Sequence, residues 1–205
     1  MNRPRIIVGI DQSYKNTGIS AAKDGKLLWI KNVQLDKLPT NSMRRAKLSK
    51  VLERTISAAA HLYGAANVVC IVERIRLHSG VQRSFISIDY IKSMGALIGS
   101  IVDVCAKYNV VVYSVDTRCW KSQVIGTSKP EDNQYGVPPE KWPTVAWCID
   151  QGFQSSLLRR VQGRKVKGTF VCCGERWRYD DDAADSAGIA MFGVVGDWNK
   201  LKVER

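Results

Sequence analysis

The hydrophobic residues of this chain change their spacing several times from one end to the other, and each change predicts an element. RIIVGID at 5–11 is a compact β-branched run closed by a carboxylate, and QSYKNTG after it has the composition of a turn. ISAAKDGKLLWIKNVQL then supplies two more apolar runs on either side of Asp24-Gly25, a pair suited to a tight turn, so the first part of the chain reads as a three-stranded meander. Residues 41–63 switch to helical spacing, with Leu48, Val51, Leu52, Thr55, Ile56 and Ala59 on one face of a basic amphipathic helix. NVVCIVER at 67–74 is too short and too rich in valine for a helix, and suits a strand covered on both faces. Helical periodicity returns at 83–107, where Phe85, Ile88, Ile91, Met94, Leu97, Ile98, Ile101, Val104 and Cys105 share one broad face. NVVVYSV at 109–115 predicts a fifth strand.

A helix after Asp116, a Pro-rich loop at 129–143, a helix near 143–151, a basic segment and a last helix opening on DDDAAD complete the order. Within the basic segment, KVKGTFVCC and ERWRYD alternate enough to predict a β-hairpin with Gly174 at or near its turn, inserted before the last helix. Three meandering strands followed by alternating helix and strand predict an α/β fold with a mixed five-stranded sheet flanked by helices. At 205 residues the chain is expected to form one domain, 1–205, with an inserted segment at about 130–178.

Charge narrows the function. The chain carries 31 Lys and Arg against 19 Asp and Glu, a net charge of +12, which points to a polyanionic partner, nucleic acid ahead of anionic membrane. No apolar run approaches the roughly 20 residues needed to span a bilayer, and MNRPRIIVGIDQ breaks its apolar stretch too early for a signal peptide. A cytoplasmic protein with no membrane partner is therefore expected. Six cysteines without CxxC spacing, several in apolar runs, read as reduced core thiols, and with only His61 and His78 beside them they argue against zinc.

Against that basic background the segment DDDAADSAGIAMFG at 180–193 gathers four carboxylates immediately before an apolar run. Asp180 or Asp181 reads as an ordinary N-cap, where a carboxylate accepts from unpaired amides. Asp182 and Asp185 lie three apart and so face the same way on the helix. Asp11 ends the first predicted strand and Glu73 the fourth, the position at which open α/β sheets place ligands. Four acids meeting there would repel one another unless a divalent cation compensated them. Oxygen donors without a thiolate or histidine cluster favour magnesium or manganese.

Four segments, IIVGIDQSYKNTGIS, CIVERIRL, DTRCWKSQVIGTSK and DDDAADSAGIA, together resemble the RuvC-type Holliday-junction resolvases, particularly the divergent branch found in bacteriophages. The resemblance covers most of 5–128 and 178–193 and leaves the stretch between them without a clear counterpart. It implies an RNase H-like fold, a homodimer acting on branched DNA, and Mg2+-dependent paired nicking of four-way junctions, with a pair of ions that Mn2+ can replace. If phage-encoded, the protein would work in the host cytoplasm. On this resemblance Asp11, Glu73, Asp182 and Asp185 are the catalytic metal ligands, with Asp181 replacing Asp182 if the helix register differs by one. Lys121 matches the basic residue near the scissile phosphate, and Lys129 resembles a second; both also read as plain surface lysines.

The chain also departs from that pattern. Where the bacterial family has an aromatic used at the junction centre, this chain reads RIRLHSGVQRS, and Arg74, Arg76 and Arg83 suggest a cationic wedge loop that binds phosphates. Arg159, Arg160, Arg164, Lys165, Lys167, Arg176 and Arg178, with Trp177 and Tyr179 interleaved, read either as a DNA-facing arm or as a solvated strand edge. Trp120, Trp142 and Trp147 read as core or loop anchors. Gly95 and Gly99 would let another helix approach, within the monomer or at a two-fold seam. The other functions open are an RNase H-like nuclease acting on flaps, forks or RNA–DNA hybrids, and a branched-DNA-binding module without catalysis. An actin-like ATPase, which needs two such domains, is excluded by length.

Overall fold

The apolar runs at the start of the chain pair as the alternation predicts. In the computed structural model, which describes residues 6–75, 87–126, 137–160, 169–172 and 175–204, β1 (Ile6–Asp11), β2 (Asn16–Lys23) and β3 (Lys26–Gln34) form an antiparallel meander. Asp24 and Gly25 both take positive φ, 47° and 79°, the conformation that the shortest hairpin turn demands. Two parallel strands, β4 (Val68–Glu73) and β5 (Val111–Val115), extend the sheet beyond β1.

The sheet has six strands, where the sequence pattern predicts five. Its order is β3-β2-β1-β4-β5-β9, the outer member being β9 (Lys202–Glu204), antiparallel to β5. Three residues carry no legible alternation, so β9 exists only because the chain is led back to the sheet. Trp198 leads it there: its ring meets Tyr113 edge-on with centroids 5.6 Å apart, and its Nε1 donates to the Gly193 carbonyl at 2.9 Å. A second, three-stranded antiparallel sheet joins β6 (Leu158–Arg160), β8 (Glu175–Tyr179) and β7 (Thr169–Cys172) in the order β6-β8-β7. Gly174, where the turn is predicted, lies outside the described residues.

Helices cover both faces of the main sheet. On one face α1 (Asn41–Tyr63) and α2 (Ile88–Ala106) bury Leu48, Leu52, Ile56, Leu97 and Ile101 against Ile6, Val8, Ile10, Val68, Cys70 and Val72. Thr40 and Ser87 cap these helices, their hydroxyls accepting from the Met43 and Tyr90 amides. The opposite face holds α3 (Thr117–Trp120), α4 (Trp142–Asp150), α5 (Gln154–Leu157) and α6 (Asp181–Val195), packed on Ile7, Val69 and Ile71. Trp120 and Trp142 are buried in this second layer. Because strand side chains alternate, the series 7, 9, 11 and 69, 71, 73 share the α6 side, which puts Asp11 and Glu73 beneath that helix.

Helix α6 approaches the sheet at backbone distance. A Cβ on Gly9 would overlap the Ser186 carbonyl and the Ala190 amide, and one on Gly18 would overlap the Asp182 carbonyl. Ser20 reinforces the contact by donating its hydroxyl to the Ser186 carbonyl at 2.6 Å. Leu, Ile or even Ala at these positions would push the helix away. Gly18→Ala is expected to cost about 1–3 kcal/mol, since neither backbone can yield. Urea unfolding monitored by circular dichroism checks this, through a lower midpoint at an unchanged denaturant slope.

Candidate active site

The site forms where two adjacent parallel strands end under the first turns of α6. The β1–β4 ladder pairs Ile10 with Val72, so the next residues of each strand, Asp11 and Glu73, emerge side by side. Asp11 is also paired across β2 with Gly18, the residue against which the Asp182 carbonyl rests. The glycine contact thus sets the distance from the α6 carboxylates to the strand carboxylates. At the helix start Asp180 is the N-cap, its Oδ1 accepting from the Ala183 amide at 3.1 Å and from Asn32 Nδ2 at 2.8 Å. Asp182 and Asp185 follow within the helix, and Asp185 is buried, 5% exposed.

Burial and mutual repulsion disturb these acids in the expected direction. Burial, then the charges of Asp185, Glu73 and Asp182, raise Asp11 well above the ordinary carboxylate value, with Lys141 opposing. Burial raises Glu73 as well, and its hydrogen bond from Thr117 and the charges of Lys121 and Lys141 offset part of that. Asp182 is pushed up to about 7 by burial first and then by Asp181 and Asp180. The Asp185 charge contributes to all three shifts, and Glu73 and Asp182 also act on Asp11, so the acids from the two strands and the helix are electrostatically linked.

Two ammonium groups supply opposing charge. Lys121, at the start of a π-helical turn running from Lys121 to Ile125, places Nζ 3.4 Å from Asp185 Oδ1 and 5.0 Å from the centre of the Trp120 ring. Lys141, at the N-cap of α4, bridges Asp181 Oδ2 at 3.3 Å and Asp185 Oδ2 at 3.5 Å. Burial alone would lower the Lys141 pKa, but the neighbouring charges of Asp185, Asp181 and Asp11 outweigh it and hold the ammonium protonated. Asp185 is therefore flanked by one lysine on each oxygen.

Lys141 escapes sequence reasoning because it stands in PPEKWP, a stretch that carries neither periodicity nor spacing relative to the acids. Thr117 and Gln12 are missed for a similar reason. The Thr117 hydroxyl donates to Glu73 Oε1, and the Gln12 side-chain amide bonds both the N–H and the C=O of Glu73. The only available signal was position, since Gln12 follows Asp11 and Thr117 follows the strand next to β4.

The predicted DNA contacts separate. Arg74 turns back along the sheet, donating to the Ser114 hydroxyl at 3.4 Å and carbonyl at 3.2 Å and to the Lys200 carbonyl at 3.5 Å. These bonds link the end of β4 to β5 and to the approach to β9; the wedge loop expected to hold Arg74 with Arg76 and Arg83 falls mostly on residues outside those described. Arg160 and Arg178 are exposed at the second sheet, and Arg176 lies on β8. Arg76, Arg83, Lys129, Arg164, Lys165 and Lys167 lie outside the described residues.

The donor chemistry fits a hard divalent cation: four carboxylates, no thiolate or imidazole among them, with Asp185 Oδ1 buried and met by the Lys121 ammonium at 3.4 Å. Among the described residues no three His, Cys, Asp or Glu side chains are placed as a ready ligand set. A cation shared by the four would therefore have to draw their side chains together.

The raised carboxylates have a thermodynamic consequence. The folded state holds the Asp182 proton up to about pH 7, against an ordinary value of 3.8. The folded chain thus binds more protons than the unfolded one between these values, and stability from this group falls as pH rises through that window. In EDTA, Asp182→Asn is expected to melt roughly 2–4 °C above the parent at pH 8, a shift that about 1 kcal/mol produces at this size. The difference is expected to vanish near pH 4, and thermal unfolding at both pH values measures it.

No protein-family profile matches the sequence, and no curated protein matches it. Among solved structures, Thermus thermophilus RuvC superposes with a TM-score of 0.54 at 12% identity, covering 97% of this chain and 99% of that one. T. thermophilus RuvC in complex with Holliday junction substrate gives 0.57 at 12% identity over the same shares. The yeast mitochondrial Holliday junction resolvase Ydc2 gives 0.47 at 16% identity, covering 92% of this chain and 77% of that one. Among the described residues no helix is long and apolar enough to cross a membrane. Over nearly its whole length, the chain has the RNase H-like α/β fold of RuvC.

Proposed function

We propose that the chain is a structure-specific endodeoxyribonuclease that resolves Holliday junctions and related branched DNA, a homodimer making paired, symmetric nicks. The observation that carries this reading is the gathering of Asp11, Glu73, Asp182 and Asp185, from three elements far apart in sequence, into one electrostatic cluster. A chain that only bound DNA would gain affinity by losing negative charge next to the phosphates. The RuvC fold and its complex with a Holliday junction substrate in T. thermophilus support branched DNA as the substrate class.

In this reading the four carboxylates would hold Mg2+, for which Mn2+ substitutes. A bound pair of ions would supply Lewis-acid polarisation of the scissile phosphate and activation of the attacking water. The protein's own contribution is orientation and charge. The sheet fixes the backbone of Asp11 and Glu73 and the helix that of Asp182 and Asp185, so gathering their oxygens on one ion would be a matter of reorienting side chains. Lys121 and Lys141 are 31% and 35% exposed at the side chain, enough for their ammonium groups to exchange Asp185 for an incoming phosphate oxygen. Arg164, Lys165, Lys167, Arg176 and Arg178, with Arg76, Arg83 and Lys129, would meet the DNA arms through phosphates.

Purified protein with Mg2+ is expected to nick a synthetic four-way junction at symmetric positions, read on a denaturing gel. Rapid cutting of flaps, forks or RNA–DNA hybrids with intact junctions would instead assign a different RNase H-like substrate. Asp11→Asn is expected to lower cutting by at least about a hundredfold while junction binding stays within about threefold, because one donor of the charge-stabilising set is lost without a phosphate contact. Equal loss of binding and cutting would contradict the ligand role. Replacing Arg164, Lys165, Lys167, Arg176 and Arg178 by Gln is expected to flatten the salt dependence of junction affinity by about one logarithmic unit per phosphate contact removed. Fluorescence anisotropy across a salt series measures that slope.

A further inference from the structure

Glu73 is held at two points by residues that the chemistry of phosphodiester hydrolysis does not itself require. The first is Gln12, 7% exposed. Its Oε1 accepts from the Glu73 N–H at 3.1 Å and its Nε2 donates to the Glu73 carbonyl. An amide that both donates to and accepts from the backbone of one residue offers what a further strand residue would offer. The β1–β4 ladder ends at Ile10 and Val72, so the Gln12 side chain continues the pairing one step further, where a strand end would otherwise fray.

The second point is Thr117, whose hydroxyl donates to Glu73 Oε1. Thr117 is the first residue of α3, directly after Asp116, whose carboxylate accepts from the Arg118 amide at 2.9 Å. The strand before it pairs Val115 with Glu73 in register, and the Arg74 amide donates to the Val115 carbonyl at 2.8 Å. The hydroxyl is therefore delivered by backbone that is itself bonded to the strand carrying Glu73. A hydroxyl has one proton, and giving it to Oε1 takes one lone-pair site of that oxygen, so Oε2 becomes the less occupied of the two. Without that bond, repulsion from Asp11 and Asp185 would favour rotamers of Glu73 that swing outward.

We propose that Thr117, with Gln12 behind it, is the positioning residue that aims Glu73 into the carboxylate cluster and favours Oε2 as its donor to a divalent cation. This rests on the reading of Glu73 as a cation ligand. The bond that matters is the hydroxyl donor, so Thr117→Ser keeps the function and Thr117→Val, which preserves the β-branched shape, loses it. Thr117→Ala removes the same donor with different packing and gives the same result as valine if the donor is what counts.

The test uses full-length protein and Mn2+ alone as the probe, by isothermal titration, with circular dichroism melting of every variant beside it. Thr117→Val and Thr117→Ala are expected to weaken Mn2+ binding by about 10- to 100-fold, the usual cost of losing a partner that orients a ligand, and Thr117→Ser by no more than about threefold. In single-turnover cleavage of a four-way junction with Mg2+, the rate constant at saturating enzyme falls by about the same factor, while the junction dissociation constant stays within about twofold. Valine and alanine variants that bind Mn2+ and cut like the parent, with only a lowered melting temperature, overturn the proposal. So does a serine variant as impaired as valine, which would make the methyl group's packing the cause. A parent protein that binds no Mn2+ and cuts no branched substrate overturns the nuclease reading itself, a result distinct from parent and variants being active alike.

Discussion

Helix α6 rests on the sheet with backbone against backbone, because residues 9 and 18 have no side chains to hold it off, and the acidic end of that helix is thereby pressed onto strands that themselves end in carboxylates. The apolar remainder of the helix makes the arrangement stable. Ala187, Ile189, Ala190 and Phe192 are buried in the layer that also holds Trp120 and Val145, and burial of this kind is worth about 1.5–3 kcal/mol for each large side chain. That apolar anchoring opposes the cost of crowding four acids into poorly solvated space. The same contact that stabilises the layer therefore creates the electrostatic problem at its edge.

The chain meets that problem with specific groups. Lys121 and Lys141 arrive from different elements, a π-helical turn and the start of α4, and take opposite oxygens of Asp185. Asp180 is occupied as a cap and by Asn32, which ties the helix start to the edge strand β3. Glu73 is restrained by Thr117 and Gln12. Asp11 and Asp182 have no such direct lysine partner within ion-pair distance among the described residues, and burial and neighbouring acids raise both. A divalent cation would relieve most where relief is least, at Asp11 and Asp182, which gives the proposed nuclease chemistry a thermodynamic reason as well as a geometric one.

Arg74 shows how a charge that suits a binding role can also tie the fold together. In the sequence it opens a run of arginines after Glu73, and a cationic loop is the natural reading. In the fold its guanidinium reaches three acceptors on Ser114 and Lys200, two of them backbone carbonyls at the sheet edge. Five rigid donors make arginine as good at tying backbone together as at binding phosphate. Which use prevails depends on the acceptors within reach, and those come from residues 40 and 126 positions away.

Local pattern in the sequence determined the elements and much of the site. Period-two alternation separates Ile6, Val8 and Ile10 from Ile7 and Asp11, so the face on which Asp11 stands is legible once the strand is recognised, and the same holds for Glu73. The spacing of Asp182 and Asp185 and the capping position before them are equally local. What only the tertiary structure decided is what meets those acids: Lys141 and Thr117, the six-strand width that β9 adds, and the place of Arg74. Side-chain periodicity records whether a residue is buried and on which face of its own element. It carries nothing about which distant element arrives opposite, because that is set by the path of the whole chain and by contacts such as the one between Gly18 and Asp182.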